Sequence, residues 1–107
     1  MSDLSRRLLP STAALAAFDA VARQGSFTAA ARELALTQSA VSHQVAGLEA
    51  QLGVALLERG PKGARLTAQG EAYARAVSGA LSAIRDASLA AMTDRHDPVL
   101  TLAILPT

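Results

Sequence analysis

The 107 residues suffice for one small domain and an additional element; with Ala at 25 positions and only Phe18, Phe27 and Tyr73 as aromatics, close approach of helices must fill the interior, which predicts a mainly α protein. The formal net charge is only +1, yet residues 1–67 hold seven Lys/Arg against five acids, and Arg59, Lys62 and Arg65 gather in one Gly/Pro-containing stretch able to meet phosphates. The lack of Cys excludes disulfides and thiolate metal sites, and neither an apolar run of about 20 residues nor a secretory leader is present, so no membrane partner and a cytoplasmic location are expected.

Pro10-Ser11-Thr12 precedes an Ala-rich run in which Leu15, Phe18 and Ala22 recur at steps of three and four, and Gly25 follows as a stop. This predicts a first helix over residues 12–24. Ser26 suits the N-cap of a short second helix, Phe27 to Ala35, whose Ala29, Ala30 and Ala31 admit close packing. Leu34-Ala35-Leu36-Thr37 makes the next break. Thr37 caps a third helix from Gln38 to about Gln51, with Val41, Val45, Leu48 and Leu52 on its inner face and Gly53 at its end.

Val54–Leu57 and Arg65–Leu66 then flank Gly60-Pro61-Lys62-Gly63, the pattern of a small hairpin. Three helices and a hairpin outline a winged helix-turn-helix. Thr67 caps a long helix in which Tyr73, Val77, Ala80, Ile84, Ala87 and Ala91 alternate steps of four and three, the spacing of a coiled-coil seam. Such a stripe, exposed in a monomer, calls for a second copy, so a homodimer seamed by Tyr73, Val77, Ala80 and Ile84 is expected. Arg75 and Arg85 on this helix read as solvated groups or intersubunit ion pairs. The polar Thr93-Asp94-Arg95-His96-Asp97-Pro98 ends the helix, and Val99–Leu105 is a strand-forming run. That run suits either the first strand of a second domain or a strand added to the wing or to a neighbouring subunit.

The inner apolar face of the third helix leaves Gln38, Ser39, Ser42, His43 and Ala46 outside. In a recognition helix, the first two turns meet base edges, where Gln pairs with adenine and Ser or His serve several bases. The same residue types equally suit an ordinary solvated face near a helix start. Other chemistries find little support. His43 and His96 are distant and have no Cys beside them, so no metal and no cofactor are expected. The Gly60–Arg65 segment lacks the ending and setting of a phosphate-binding loop, and no nucleophile elbow occurs, so an enzyme is not expected. The rival to DNA binding is a helical protein-interaction module whose third helix meets a protein groove.

The segments Ser26-Phe27-Thr28-Ala29-Ala30-Ala31-Arg32-Glu33-Leu34, Leu36-Thr37-Gln38-Ser39-Ala40-Val41-Ser42-His43-Gln44-Val45, Leu48-Glu49, Leu52-Gly53, Leu56-Leu57-Glu58-Arg59 and Leu66-Thr67-Ala68-Gln69-Gly70 resemble the N-terminal signature of the LysR-type transcriptional regulators. The Ser-His-Gln-Val wording and the Leu-Pro-Ser-Thr start are similar to the branch with glycine-cleavage and β-lactamase regulators. The resemblance spans about residues 11–92. It implies a winged helix-turn-helix domain over 1–67 and a linker and dimerisation helix over 68–95. It further implies a hinge and the first strand of an effector-binding domain over 96–107, that domain itself lying outside this chain.

The implied partners are double-stranded DNA, read as an inverted repeat, and a second copy, with a tetramer at full length; a small-molecule effector would act only through the further domain. Carried over by position, Gln38, Ser39, Ser42 and His43 match residues that touch bases or adjoining phosphates. Lys62 matches the wing residue of the minor groove, and Arg59 a basic position that supports the wing or a phosphate. Ser26, Thr28 and Thr37 match positions that contact phosphates or cap helices. The pattern departs from many relatives at Ser39, where they carry Pro, at His43, where they carry Arg, and at Ala46, where a basic residue is frequent. Arg grips guanine O6 and N7 together while neutral His offers one donor, so readout there should be less guanine-centred.

Overall fold

The computed structural model describes residues 3–93. Its elements in chain order are α1 (Asp3–Leu8), α2 (Thr12–Gln24), α3 (Phe27–Leu34), α4 (Gln38–Leu52), β1 (Leu57–Gly60), β2 (Gly63–Leu66) and α5 (Ala68–Thr93). This is the mainly helical winged helix-turn-helix with a long following helix that the sequence predicts. The polar segment before Pro98, with His96, and the strand expected over Val99–Leu105 lie outside the described residues.

Local chemistry sets each helix boundary. Ser11, Ser26 and Thr37 adopt extended backbone, and their side-chain oxygens accept the N–H groups of Ala14, Ala29 and Ala40, each at 3.1 Å. Gly25 and Gly53 close α2 and α4 in the left-handed conformation. Between α3 and α4 the same left-handed position falls to Ala35, at φ 56°. The Leu36 N–H reaches back to the Ala31 carbonyl at 2.9 Å, a Schellman closure that makes the tight turn without a glycine.

The chain divides into two compact units, the first ending at Val77 and the second starting at Ser78. The first has a core in which Phe18, Val21, Val41, Val45, Leu48 and Leu56 are the largest fully buried side chains. Small residues let the helices approach: Ala14, Ala17 and Ala20 of α2 and Ala30 and Ala31 of α3 are buried with them. Tyr73 of α5 packs on this core, its ring tilted 45° to Phe18 with centroids 5.7 Å apart. Arg23 ties α2 to α3: it donates to Asp19 Oδ2 at 3.0 Å and grips both carboxylate oxygens of Glu33. Those hydrogen bonds, Glu33 first and Asp19 second, raise the Arg23 pKa above its ordinary value. The otherwise costly buried Asp19 is thereby paired.

The wing is shorter at its start than expected. Val54–Leu56 do not join the ladder, because their polar groups are committed elsewhere. The Leu56 N–H donates to Glu49 Oε2 at 2.7 Å, while the Leu56 carbonyl accepts from Thr67 N and the Ala55 carbonyl from Thr67 Oγ1. The antiparallel pairing begins with Leu57 opposite Leu66 and runs through Glu58 opposite Arg65 and Arg59 opposite Ala64 to Gly60 opposite Gly63. Pro61 and Lys62 form the turn.

Two glycines permit close backbone approach. A Cβ on Gly63, at φ 114°, would lie 2.6 Å from the Gly25 carbonyl oxygen, which accepts the Ala64 N–H and docks the wing on the end of α2. A Cβ on Gly70 would lie 1.9 Å from the Leu56 carbonyl oxygen, so only glycine lets the first turn of α5 lie against that strand entry.

Helix α1 is an addition to the sequence expectation. It is held by Gln51 of α4, whose amide donates to the Arg6 carbonyl at 2.8 Å and the Arg7 carbonyl at 3.3 Å, satisfying acceptors at the end of the short helix.

The expectation of a fully exposed seam is corrected. Tyr73 is half-buried against Phe18 and Val77 is buried within the chain, whereas Ala80 and Ile84 are exposed, Ile84 at 52%. Leu89 and Met92 extend the exposed apolar side chains of the second unit.

Candidate nucleic-acid interface

Helix α4 buries Val41, Val45 and Leu48 and turns the intervening positions outward. Because these anchors are spaced by four and three, Gln38, Ser39, Ser42, His43 and Ala46 fall on one outer surface. The structure brings all five together with Arg59 of β1 around a shallow, open concavity. Gln38, Ser39 and His43 are exposed and Ser42 is half-buried.

The contacts within this surface fix several side chains. Thr28 donates to Gln38 Oε1 at 3.3 Å, linking the starts of α3 and α4. The Arg59 guanidinium donates to Ser42 Oγ and lies over the Phe27 ring, 4.1 Å from its centroid. Beta strand, α3 and α4 thus meet at one cation. Ser26 and Thr37 have their hydroxyls committed as caps, and both sit at helix starts where backbone N–H groups gather.

Lys62 stands apart from this group. It occupies the exposed wing turn, on a hairpin that also carries Arg65, so the wing is a second cationic surface beyond the α4 concavity. Ala46 adds no charge to the concavity, which is polar rather than strongly basic. Among the described residues no group of three or more His, Asp or Glu side chains is placed to hold a metal ion, and no helix is long and apolar enough to cross a membrane.

Sequence reasoning found Gln38, Ser39, Ser42 and His43 from helical periodicity. It did not find the Arg59–Ser42 and Arg59–Phe27 contacts, which join positions far apart in the chain. Nor did it find Glu49 as the organiser of the wing entry. The Leu48-Glu49 pair and Leu57-Glu58-Arg59 are visible as words, but nothing local shows that one reaches the other.

Residues 12–71 match the family described as bacterial regulatory helix-turn-helix protein, lysR family. The chain belongs to this family. The LysR-family chain is 40% identical over 106 residues to the AhcY transcriptional activator HvrB of Rhodobacter capsulatus, covering 99% of this chain and 36% of that protein. It is 39% identical over 104 residues to the glycine cleavage system transcriptional activator of Escherichia coli, covering 97% of this chain and 34% of that protein, in keeping with the branch its sequence resembles. The chain therefore spans about a third of the length of these relatives. Among solved structures, the CbnR DNA-binding domain in complex with DNA superimposes with a TM-score of 0.69 at 35% identity, over 77% of this chain and 94% of that one.

Proposed function

We propose that this LysR-family chain is the DNA-binding and dimerising part of a transcriptional regulator that binds an inverted-repeat operator as a homodimer or higher oligomer. The observation that carries the reading is the convergence of Gln38, Ser39, Ser42 and His43 with Arg59 on the outer surface of α4. Its support is the likeness to a LysR-family domain solved on DNA. Helix α4 enters the major groove, with its first two turns at base edges. Lys62 at the wing turn reaches the adjacent minor groove or backbone, and Arg59 supports the wing. Ser26, Thr28 and Thr37 bring the starts of α3 and α4 to the phosphates, where helix N–H groups favour anions.

The division of labour is a DNA-binding domain over 1–67 and a linker helix that starts at residue 68; the hinge and strand expected over 96–107 lie outside the described residues. Dimerisation uses the long helix, with Ala80 and Ile84 at the seam, while Tyr73 packs on the core. A two-fold dimer sets half-sites about 34 Å apart or a multiple of that spacing. At full length a tetramer forms, and a small-molecule effector acts through a further domain in the cytoplasm, not through residues 1–107. The chain performs no catalysis.

Salt titration tests this reading. Log affinity for duplex DNA falls linearly with log salt, with a slope near −0.9 per phosphate contacted. An affinity indifferent to salt would instead favour the protein-groove reading of α4.

A further inference from the structure

Arg59 is held from two sides. Its guanidinium lies 4.1 Å from the centroid of the Phe27 ring and donates through Nη2 to Ser42 Oγ. Phe27 is buried, so the ring is a fixed platform rather than a mobile surface group. A guanidinium carries five donors and no acceptor, so the direction of the hydrogen bond is settled by chemistry: Ser42 accepts.

This has a consequence for the hydroxyl. A serine hydroxyl has one proton and two lone pairs, and a free one rotates to donate or accept as its partner requires. With a cation on one lone pair, the O–H bond is turned away from Arg59. Ser42, half-buried, lines the same concavity as Gln38, Ser39, His43 and Arg59, so its hydroxyl is within reach of a group that enters there.

We propose that Arg59 is a positioning residue that makes Ser42 a hydrogen-bond donor toward the major groove, and that this polarity selects the base opposite Ser42. The proposal rests on α4 being the recognition helix. Guanine offers N7 and O6, adenine N7 and thymine O4 as major-groove acceptors, whereas cytosine presents only its N4 amino donor. The second lone pair of Ser42 stays free, but an oxygen that already accepts from a cation is a poorer acceptor and a stronger donor, so Ser42 favours guanine, adenine or thymine on the contacted strand over cytosine. A Ser42 released from Arg59 serves either kind of edge and loses that discrimination.

The test is selection from random duplex DNA by the whole chain, comparing wild type with Ser42→Ala, Arg59→Met, Arg59→Leu, Arg59→Lys and Ser42→Ala/Arg59→Met, each checked for folding by circular dichroism. The wild type depletes cytosine about tenfold at one position of each half-site, the scale of a single mismatched contact. Ser42→Ala makes that position indifferent. Arg59→Met and Arg59→Leu bring cytosine back to parity at the same position whatever their effect on overall affinity, Arg59→Lys, which keeps a donor, retains the depletion, and the double variant matches Ser42→Ala alone at that position.

If Arg59→Met or Arg59→Leu weakens binding to every sequence equally while cytosine stays depleted, Arg59 is a phosphate ligand and the proposal is overturned. It is equally overturned if Ser42→Ala relaxes no position. A wild type that enriches no sequence overturns the DNA reading itself, an outcome distinct from both.

Discussion

Glu49 holds the entrance of the wing: its carboxylate accepts the backbone N–H of Leu56 at 2.7 Å. The same oxygen also accepts from Leu57 at 3.2 Å. A side chain on α4 thereby sets the direction in which the chain leaves that helix and enters β1, and with it the position of Arg59 two residues further on.

Removing this acceptor should be costly, since Leu56 is buried and its N–H would be left unpaired. Glu49→Ala is expected to lower stability by about 2–3 kcal/mol, as for loss of charge-assisted hydrogen bonds. Glu49→Gln keeps one oxygen and should lose about half as much. Urea unfolding of the three proteins checks the order.

Two glycine replacements should move stability in opposite directions. Gly70→Ala places a Cβ 1.9 Å from the Leu56 carbonyl oxygen and forces backbone apart, which should cost about 3 kcal/mol or more. Gly47→Ala, within α4 and with nothing within 4 Å of the added atom, should stabilise by roughly 0.5–1 kcal/mol through helix propensity. Thermal denaturation of both variants without DNA separates close approach from propensity.

Tyr73 gives the stability an alkaline limb. Burial pushes its phenol up from the ordinary 10.0. The folded state therefore holds the proton more tightly than the unfolded one. The resulting stability is fully present below pH 10 and is lost as pH rises through the raised folded value. Comparing urea midpoints of wild type and Tyr73→Phe from pH 8 to 11.5 should show the wild type falling away from the variant above pH 10. Parallel curves would contradict the assignment.

The proposed dimer seam is vulnerable at Ile84, which is exposed in the single chain. Ile84→Asp puts an unpaired charge into an apolar interface and should weaken self-association by roughly 100-fold or more, by the cost of burying such a charge. Sedimentation of the free chain measures this directly. Because Ile84 is 52% exposed in the single chain, the fold of residues 12–71 should survive the change.

The parts of this fold legible in the sequence are those written in local chemistry. Ser11, Ser26 and Thr37 announce helix starts because their own side chains make the capping bonds, and Gly25 and Gly53 announce ends because the left-handed backbone favours them. Val41, Val45 and Leu48 revealed the inner face of α4 by spacing, and so exposed Gln38, Ser39, Ser42 and His43 as its outer face. What stayed hidden depends on residues distant in sequence. Helix α1 depends on the Gln51 amide, the short start of the wing on Glu49 and Thr67, and the hydrogen bond accepted by Ser42 on Arg59. Periodicity could likewise not show that Tyr73 leans inward on Phe18 while Ile84 remains outside.

Whether the outer face of α4 reads DNA sequence is decided by selection from random duplex DNA. Purified chain is bound to a pool of random duplex DNA, and the retained sequences are compared for wild type and Ser42→Ala/His43→Ala. An inverted repeat should be enriched by the wild type and lost by the double variant while both remain folded and dimeric. An inverted repeat enriched equally by both proteins would contradict it, placing sequence recognition elsewhere than on Ser42 and His43.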